Sequence, residues 1–111
     1  MFTYQWPNGK VDQQTIAAAA VMAITVKNSK TQINITGAMA AAGTLNLTVN
    51  SRVPVGATLM VKAVSDGTGR TLTFGTGMTG KAFAITASKH VVFMFEWDGT
   101  KFQNTSAILT D

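Results

Sequence analysis

The sequence predicts an all-β fold: a single-domain antiparallel β-sandwich of about eight short strands, jelly-roll-like or immunoglobulin-like, with an N-terminal arm. Apolar and polar residues alternate with a period of two in successive short segments, as in strands that bury one face. Turn residues separate these segments at intervals of about 8 to 12 residues, a spacing typical of a sandwich or a barrel. Together these observations favour two layers of short strands around one core.

The two strongest strand patterns lie in the second half of the chain. In the strand predicted over 57–65 both faces are fairly apolar, because Met60 and Val64 lie opposite the main apolar face. Such a strand is central in its sheet, or its second face is covered by another subunit. In the longest predicted strand, 89–97, Val92 and Met94 likewise lie opposite the apolar ladder. That ladder consists of Val91, Phe93, Phe95 and Trp97.

A hairpin is predicted after this strand. Asp98-Gly99 is a strong turn signal, and the next strand starts near Lys101 with Phe102 paired near Trp97 or Phe95. One further strand is predicted to start near Met22. Four more are predicted over the alternating segments 32–36, 45–49, 70–74 and 81–86.

Residues 1–15 are predicted to form a docking arm and residues 16–111 the sandwich domain. Phe2, Tyr4 and Trp6 alternate with polar residues ahead of a turn at residues 7–9. These aromatic side chains must pack on the domain itself or on a neighbouring subunit, because their exposure would promote aggregation. We favour the neighbouring subunit.

The alanine run that follows is ambiguous. Residues 17–20 are four alanines, which favour helix, whereas Ile24 and Val26 alternate with polar residues and favour strand. We predict a loose or short helical lead into the strand that starts near Met22.

The composition points to a chain that is covered in part by partners. Charged residues make up 13% of the sequence, against roughly 25% in typical soluble domains. The net charge is +4, but the basic residues are scattered singly, so no nucleic-acid partner is predicted. No apolar run approaches the roughly 20 residues of a membrane span, so no membrane association is predicted.

Three motifs could carry chemistry, and each has a simpler explanation. The segment 75–80 matches G-x-G-x-x-G, but a strand pattern follows it where a dinucleotide site needs a helix, so no cofactor is predicted. His90 is the only histidine and there is no cysteine, so no metal site of the usual zinc type is predicted. Glu96 and Asp98 share a strand face. They could bind a cation weakly together with Asp66 if the turns converge, but their spacing is more typical of the solvent-exposed end of a strand.

Four segments follow one another between about Leu45 and Thr100: TLNLTV (44–49), VGATLMVK (55–62), DGTGRTLTFGTG (66–77) and FMFEWDGTKF (93–102). In this order they resemble virion structural proteins of tailed bacteriophages, of the capsid-decoration, auxiliary-capsid and head-fibre type. The resemblance covers roughly half of the chain.

This resemblance implies a non-enzymatic role in virion assembly, with no catalytic residues. The expected function is that of an auxiliary or decoration protein that stabilises a phage capsid or anchors a head fibre. The expected partners are the major capsid protein or other virion subunits and further copies of the chain, with a trimer favoured. The expected location is the phage particle, assembled in the cytoplasm of the bacterial host. The candidate interface residues are Phe2, Tyr4, Trp6, Met60, Val64, Val92 and Met94.

Two alternatives remain open. The chain could be a host-glycan-binding module of a phage fibre or tail, with Trp97, Tyr4 or Trp6 stacking on sugar rings. It could also be a glycan hydrolase that uses Glu96 and Asp98.

Overall fold

A computed structural model describes residues 11–110, and these form ten strands in two sheets with no helix among them. The larger sheet, sheet A, has the order β1-β3-β5-β9-β10-β7, and the smaller, sheet B, has the order β2-β4-β6-β8. The strands are β1 (Asp12–Ala17), β2 (Val21–Val26), β3 (Lys30–Thr36), β4 (Gly43–Val49), β5 (Thr58–Val64), β6 (Arg70–Phe74), β7 (Met78–Thr79), β8 (Phe83–Ile85), β9 (His90–Trp97) and β10 (Phe102–Leu109).

The first six strands wind as a flat coil. Odd-numbered strands lie in sheet A and even-numbered strands in sheet B, so the chain changes sheet at every corner. Each strand pairs in parallel with the strand two positions further along the chain: β1 with β3, β3 with β5, β2 with β4, and β4 with β6. Each turn of the coil therefore stacks on the one before it, as in solenoid proteins.

The last strands close this coil with antiparallel pairing. β9 lies between β5 and β10 and is antiparallel to both, and β8 is antiparallel to β6. The short strand β7 adds to β10 in parallel at the edge of sheet A.

The all-β fold is confirmed, but the predicted antiparallel pairing is wrong for five of the eight strand pairs. Neither the jelly-roll nor the immunoglobulin-like topology is confirmed. Alternation with a period of two reports one buried face and carries no information on the direction of the neighbouring strand. Parallel strands need a long crossover, and here each crossover contains a strand of the other sheet.

The predicted helical lead at residues 17–20 is also wrong. Ala17 ends β1, and residues 18–20 form a three-residue corner between the two sheets, which leaves no room for a helical turn. β1 also runs across the boundary predicted between residues 15 and 16, so residues 12–15 are paired in sheet A.

The core lies between the sheets and contains the predicted apolar ladders. Phe93 and Phe95 are almost fully buried, and the Phe74 ring meets them edge-to-face at centroid distances of 5.1 and 5.0 Å. The Phe83 ring adds a third edge-to-face contact, 5.2 Å from that of Phe93. The predicted pairing of Phe102 near Trp97 is confirmed, because these two residues face each other across the β9–β10 hairpin.

Phe93→Ala is expected to lower the free energy of unfolding by about 3–5 kcal/mol, because it removes a buried ring and leaves a cavity. Urea unfolding followed by circular dichroism measures this change. Val55→Ala is the matched control, since Val55 is 73% exposed and its truncation should cost less than about 0.5 kcal/mol. Equal effects of the two substitutions would contradict the position assigned to the core.

Candidate assembly interface

The face of sheet A that points away from sheet B carries a group of apolar side chains. We call it the apolar outer face and define it as Met60, Val64, Val92, Met94 and Ile108. These residues alternate along β5, β9 and β10 with residues that fill the core, so their side chains project outwards.

Strand register brings these side chains together. Met60 pairs with Met94 across β5 and β9, and Val92 pairs with Ile108 across β9 and β10. Residues paired in this way have their Cβ atoms about 4.5–5.5 Å apart, so they form one continuous patch across three strands. The four residues predicted from the sequence are half-buried, and Ile108 is 57% exposed.

Ile108 is a member of the patch that the sequence analysis missed. Its outward position could not be read from alternation, because the register of β10 shifts between Asn104 and Ser106. An irregularity of this kind changes which residues of a strand point outwards.

Two shallow depressions flank the patch. The larger, of about 490 Å³, is lined by Val64 and Val92 together with Asn34, Lys62 and His90. The smaller, of about 110 Å³, lies at the other end of the strands beside Met60 and Met94, and Val11 borders it. The predicted interface residues Phe2, Tyr4 and Trp6 lie outside the described residues.

The glycine-rich segment 75–80 serves close backbone packing. The Gly75 N–H donates to the Leu45 carbonyl, and the Thr76 N–H donates to Oδ1 of Asn46 at 2.9 Å. A Cβ atom on Gly75 would collide with the same Asn46 oxygen. The segment contains β7 and is followed by β8, so it has no helix N-terminus with which to hold a phosphate.

Of the three carboxylates singled out in the sequence, Asp98 and Asp66 stabilise turns, whereas Glu96 is exposed within β9. Oδ1 of Asp98 accepts hydrogen bonds from the backbone N–H groups of Thr100 and Lys101, both at 2.7 Å, and its Oδ2 accepts one from Gln103. The Lys101 and Thr100 N–H groups, together with the Gln103 side chain, lower the pKa of Asp98 below its ordinary value.

Asp66 is bound in the same manner at a different turn. Its carboxylate accepts two hydrogen bonds from the Arg70 guanidinium, at 2.9 and 2.8 Å, and one from the Thr68 N–H. The Arg70 side chain and the Thr68 N–H lower the pKa of Asp66. The turns of Asp66 and Asp98 lie at opposite ends of the β5–β9 pair, so the weak cation site that required them to converge does not form.

Other groups that could carry chemistry are dispersed. His90 is exposed at the start of β9. Within residues 11–110 no three His, Cys, Asp or Glu side chains come close enough together to hold a metal ion. In the same residues no helix has the length and apolar character needed to cross a membrane.

Comparison of the sequence with models of protein families gave no match, and comparison with curated proteins gave no significant match.

Gly75→Ala is expected to destabilise the protein by about 1–3 kcal/mol, because the new methyl group must displace Asn46. Gly67→Ala is the matched control: its Cβ would meet nothing within 4 Å, and the loss of unfolded-chain entropy should make the change neutral or stabilising. Denaturant midpoints measure both. If the two substitutions behaved alike, the packing role of Gly75 would be wrong.

Asp98→Asn is expected to remove part of the dependence of stability on pH. Because the folded-state pKa is lowered, ionised Asp98 stabilises the fold above its unfolded pKa of about 3.9, and this contribution is lost as the pH falls through the folded value. The difference in unfolding free energy between the original chain and Asp98→Asn should therefore shrink as the pH falls from about 6 towards 2. Urea unfolding at a series of pH values measures it, with Glu96→Gln as a baseline for losing one carboxylate. A constant difference would contradict the assignment.

Proposed function

We propose that this chain is a non-enzymatic structural subunit of a virion. In this proposal it is an auxiliary or decoration protein of a tailed-phage capsid, which stabilises the shell or anchors a head fibre. The observation that carries the proposal is the apolar outer face of sheet A. Its occupant is a second copy of the chain, in a homo-oligomer with a trimer favoured, and the assembled oligomer binds the major capsid protein.

The residues of the apolar outer face suit an interface better than a free surface. Burying a large apolar side chain contributes about 1.5–3 kcal/mol when it is fully transferred from water, and less from a half-buried start. The free energy gained by burying five such side chains is small compared with the cost of association, which is about 4–15 kcal/mol. A closed oligomer repeats the contact around its axis, and a capsid lattice repeats it again, so a small patch on each subunit is sufficient.

Two charged side chains share this face of sheet A with the apolar residues. Lys62 lies within the outer face and Glu96 at its end, and both are exposed. The carboxylates of Asp66 and Asp98 accept hydrogen bonds within turns, which favours a structural function over catalysis of hydrolysis by these groups. The virion assembles in the host cytoplasm in this proposal, and the basic residues serve solubility and subunit contacts, with no nucleic-acid partner.

A host-glycan-binding module is the second candidate, and the larger depression favours it. Val64 and Val92 could contact the apolar face of a sugar there, while Asn34 and Lys62 provide donors for hydroxyl groups. Trp97 is a weaker candidate for stacking than the sequence suggested, because its half-buried ring packs 5.0 Å from that of Phe102. Binding on a glycan array that is lost in Asn34→Ala would favour this candidate, and a decoration protein should give no signal.

Met94→Lys is expected to convert the oligomer to a monomer, because it places a charge on the apolar outer face directly beside Met60. Light scattering at two protein concentrations measures the mass. Thr73→Lys is the matched control, since Thr73 is exposed on the strand β6 of the other sheet and the change adds the same charge.

Quantitative mass spectrometry of particles of the encoding phage tests the virion role itself. The original chain and Thr73→Lys should be present in many copies, and Met94→Lys should be depleted. Equal masses and equal incorporation of all three chains would contradict the proposed interface. Absence of the original chain from particles would contradict the virion role.

A further inference from the structure

The charged and apolar side chains of the outer face of sheet A follow a regular order along β5 and β9. These two strands are paired, so their outward side chains lie side by side at four levels, each about 6.6 Å from the next. In order, the levels are Val64 with His90, Lys62 with Val92, Met60 with Met94, and Thr58 with Glu96. Lys62 and Glu96 are therefore two levels apart, with the methionine pair between them.

Lys62 and Glu96 are charges that a second copy of the chain must accommodate. Both are exposed, and within residues 11–110 neither of them is in an ion pair, whereas Arg70 and Asp66 pair with each other at a separate turn. Like charges that meet across an interface are costly, and opposite charges that meet there fix its register. The positions of Lys62 and Glu96 therefore restrict how two outer faces can pack together.

The apolar outer face is the same surface on every copy, and this restricts the symmetry of its contact. A patch that packs on the same patch of another copy forms an isologous interface, which a two-fold axis closes after two subunits. A trimer instead needs a second apolar surface to receive the patch. Among the described residues, the other exposed large apolar side chains lie on separate elements of the fold: Val11, Val21, Val55 and Leu109. The described surface therefore favours a dimer.

The charges distinguish two orientations of this two-fold axis. An axis parallel to the strands keeps each level opposite itself, so Glu96 lies level with the partner's Glu96 and about 13 Å along the strands from the partner's Lys62. An axis perpendicular to the strands, between Val92 and Met94, exchanges the first level with the fourth and the second with the third. Val92 then packs on the partner's Met94. Glu96 lies opposite the partner's His90, one level from the partner's Lys62.

From these observations we infer that two copies of the chain pack through the apolar outer face about an axis perpendicular to the strands, with Lys62 of each copy in an ion pair with the partner's Glu96. Two such ion pairs flank a centre formed by Val92 and Met94 of both copies. The inference rests on the proposed function for the occupant of the face, a second copy, and it replaces the trimer favoured there by a closed dimer.

The size of the face determines the strength of this dimer. Four levels span about 20 Å along the strands, and the five strands from β1 to β10 in sheet A span about 19 Å across them. Each copy therefore contributes a flat area of about 400 Å², whereas stable interfaces bury roughly 800 Å² per partner. The dimer is expected to dissociate on dilution, so a change in either ion pair is measurable as a change in the Kd of dimerisation.

Exchange of the two charges tests the pairing, with the Kd measured by analytical ultracentrifugation. Glu96→Lys and Lys62→Glu should each raise the Kd at least about tenfold, because each places like charges together. Lys62→Glu/Glu96→Lys should return the Kd to within about threefold of the original value, since both ion pairs are then reversed. Lys81→Glu is the matched control, because Lys81 is exposed before β8 of the other sheet, and it should leave the Kd unchanged. Failure of the double variant to restore dimerisation would overturn the inference.

Zero-length cross-linking tests the orientation of the axis. In an equal mixture of isotope-labelled and unlabelled chains, a carbodiimide should join Lys62 of one chain to Glu96 of another, and mass spectrometry should detect linked peptides that carry one label. Dimers without this linkage, or a mass that is trimeric or stays monomeric at high concentration, would overturn the inference. None of these results would affect the virion role, which is tested separately by incorporation into particles.

Discussion

The parallel stacking of β1, β3 and β5 against β2, β4 and β6 is the constraint on which the rest of the structure depends. Each turn of this coil contributes one strand to each sheet, so neither sheet can form without the other. The apolar residues between them must then face inwards from both sheets at once. This requirement fixes which residues of β5 and β9 point outwards, and it thereby places the apolar outer face.

The coil also explains the two different ends of the molecule. At the C-terminal end, the antiparallel strands β9 and β8 pair with β5 and β6, the last strands of the coil, and β10 extends sheet A beyond β9. At the N-terminal end, β1 and β2 are edge strands of their sheets. Repeat proteins need distinct terminal elements, since an uncapped turn exposes backbone groups and core side chains. At the C-terminal end, β9 and β8 meet this need for β5 and β6.

Much of this architecture could be predicted from the sequence, and the failures have physical causes. All eight predicted strands are present at or close to their expected positions, and the inward position of Phe93 and the outward position of Met94 were correct. The direction of pairing was not predictable, because alternation reports only burial. The outward position of Ile108 could not be predicted because of the irregularity in β10. The strand β1 could not be predicted because its inward residues Asp12 and Gln14 are polar.

The central claim is that the apolar outer face becomes an interface in the particle, and methionine oxidation tests it most directly. Met60 and Met94 lie on that face, while Met22, Met39 and Met78 are buried in the core and serve as internal controls. Mild peroxide treatment followed by mass spectrometry would compare dilute subunit with intact virions. The account predicts that Met60 and Met94 oxidise in the dilute subunit and are protected in the virion. Equal oxidation of these two residues in both samples would contradict it.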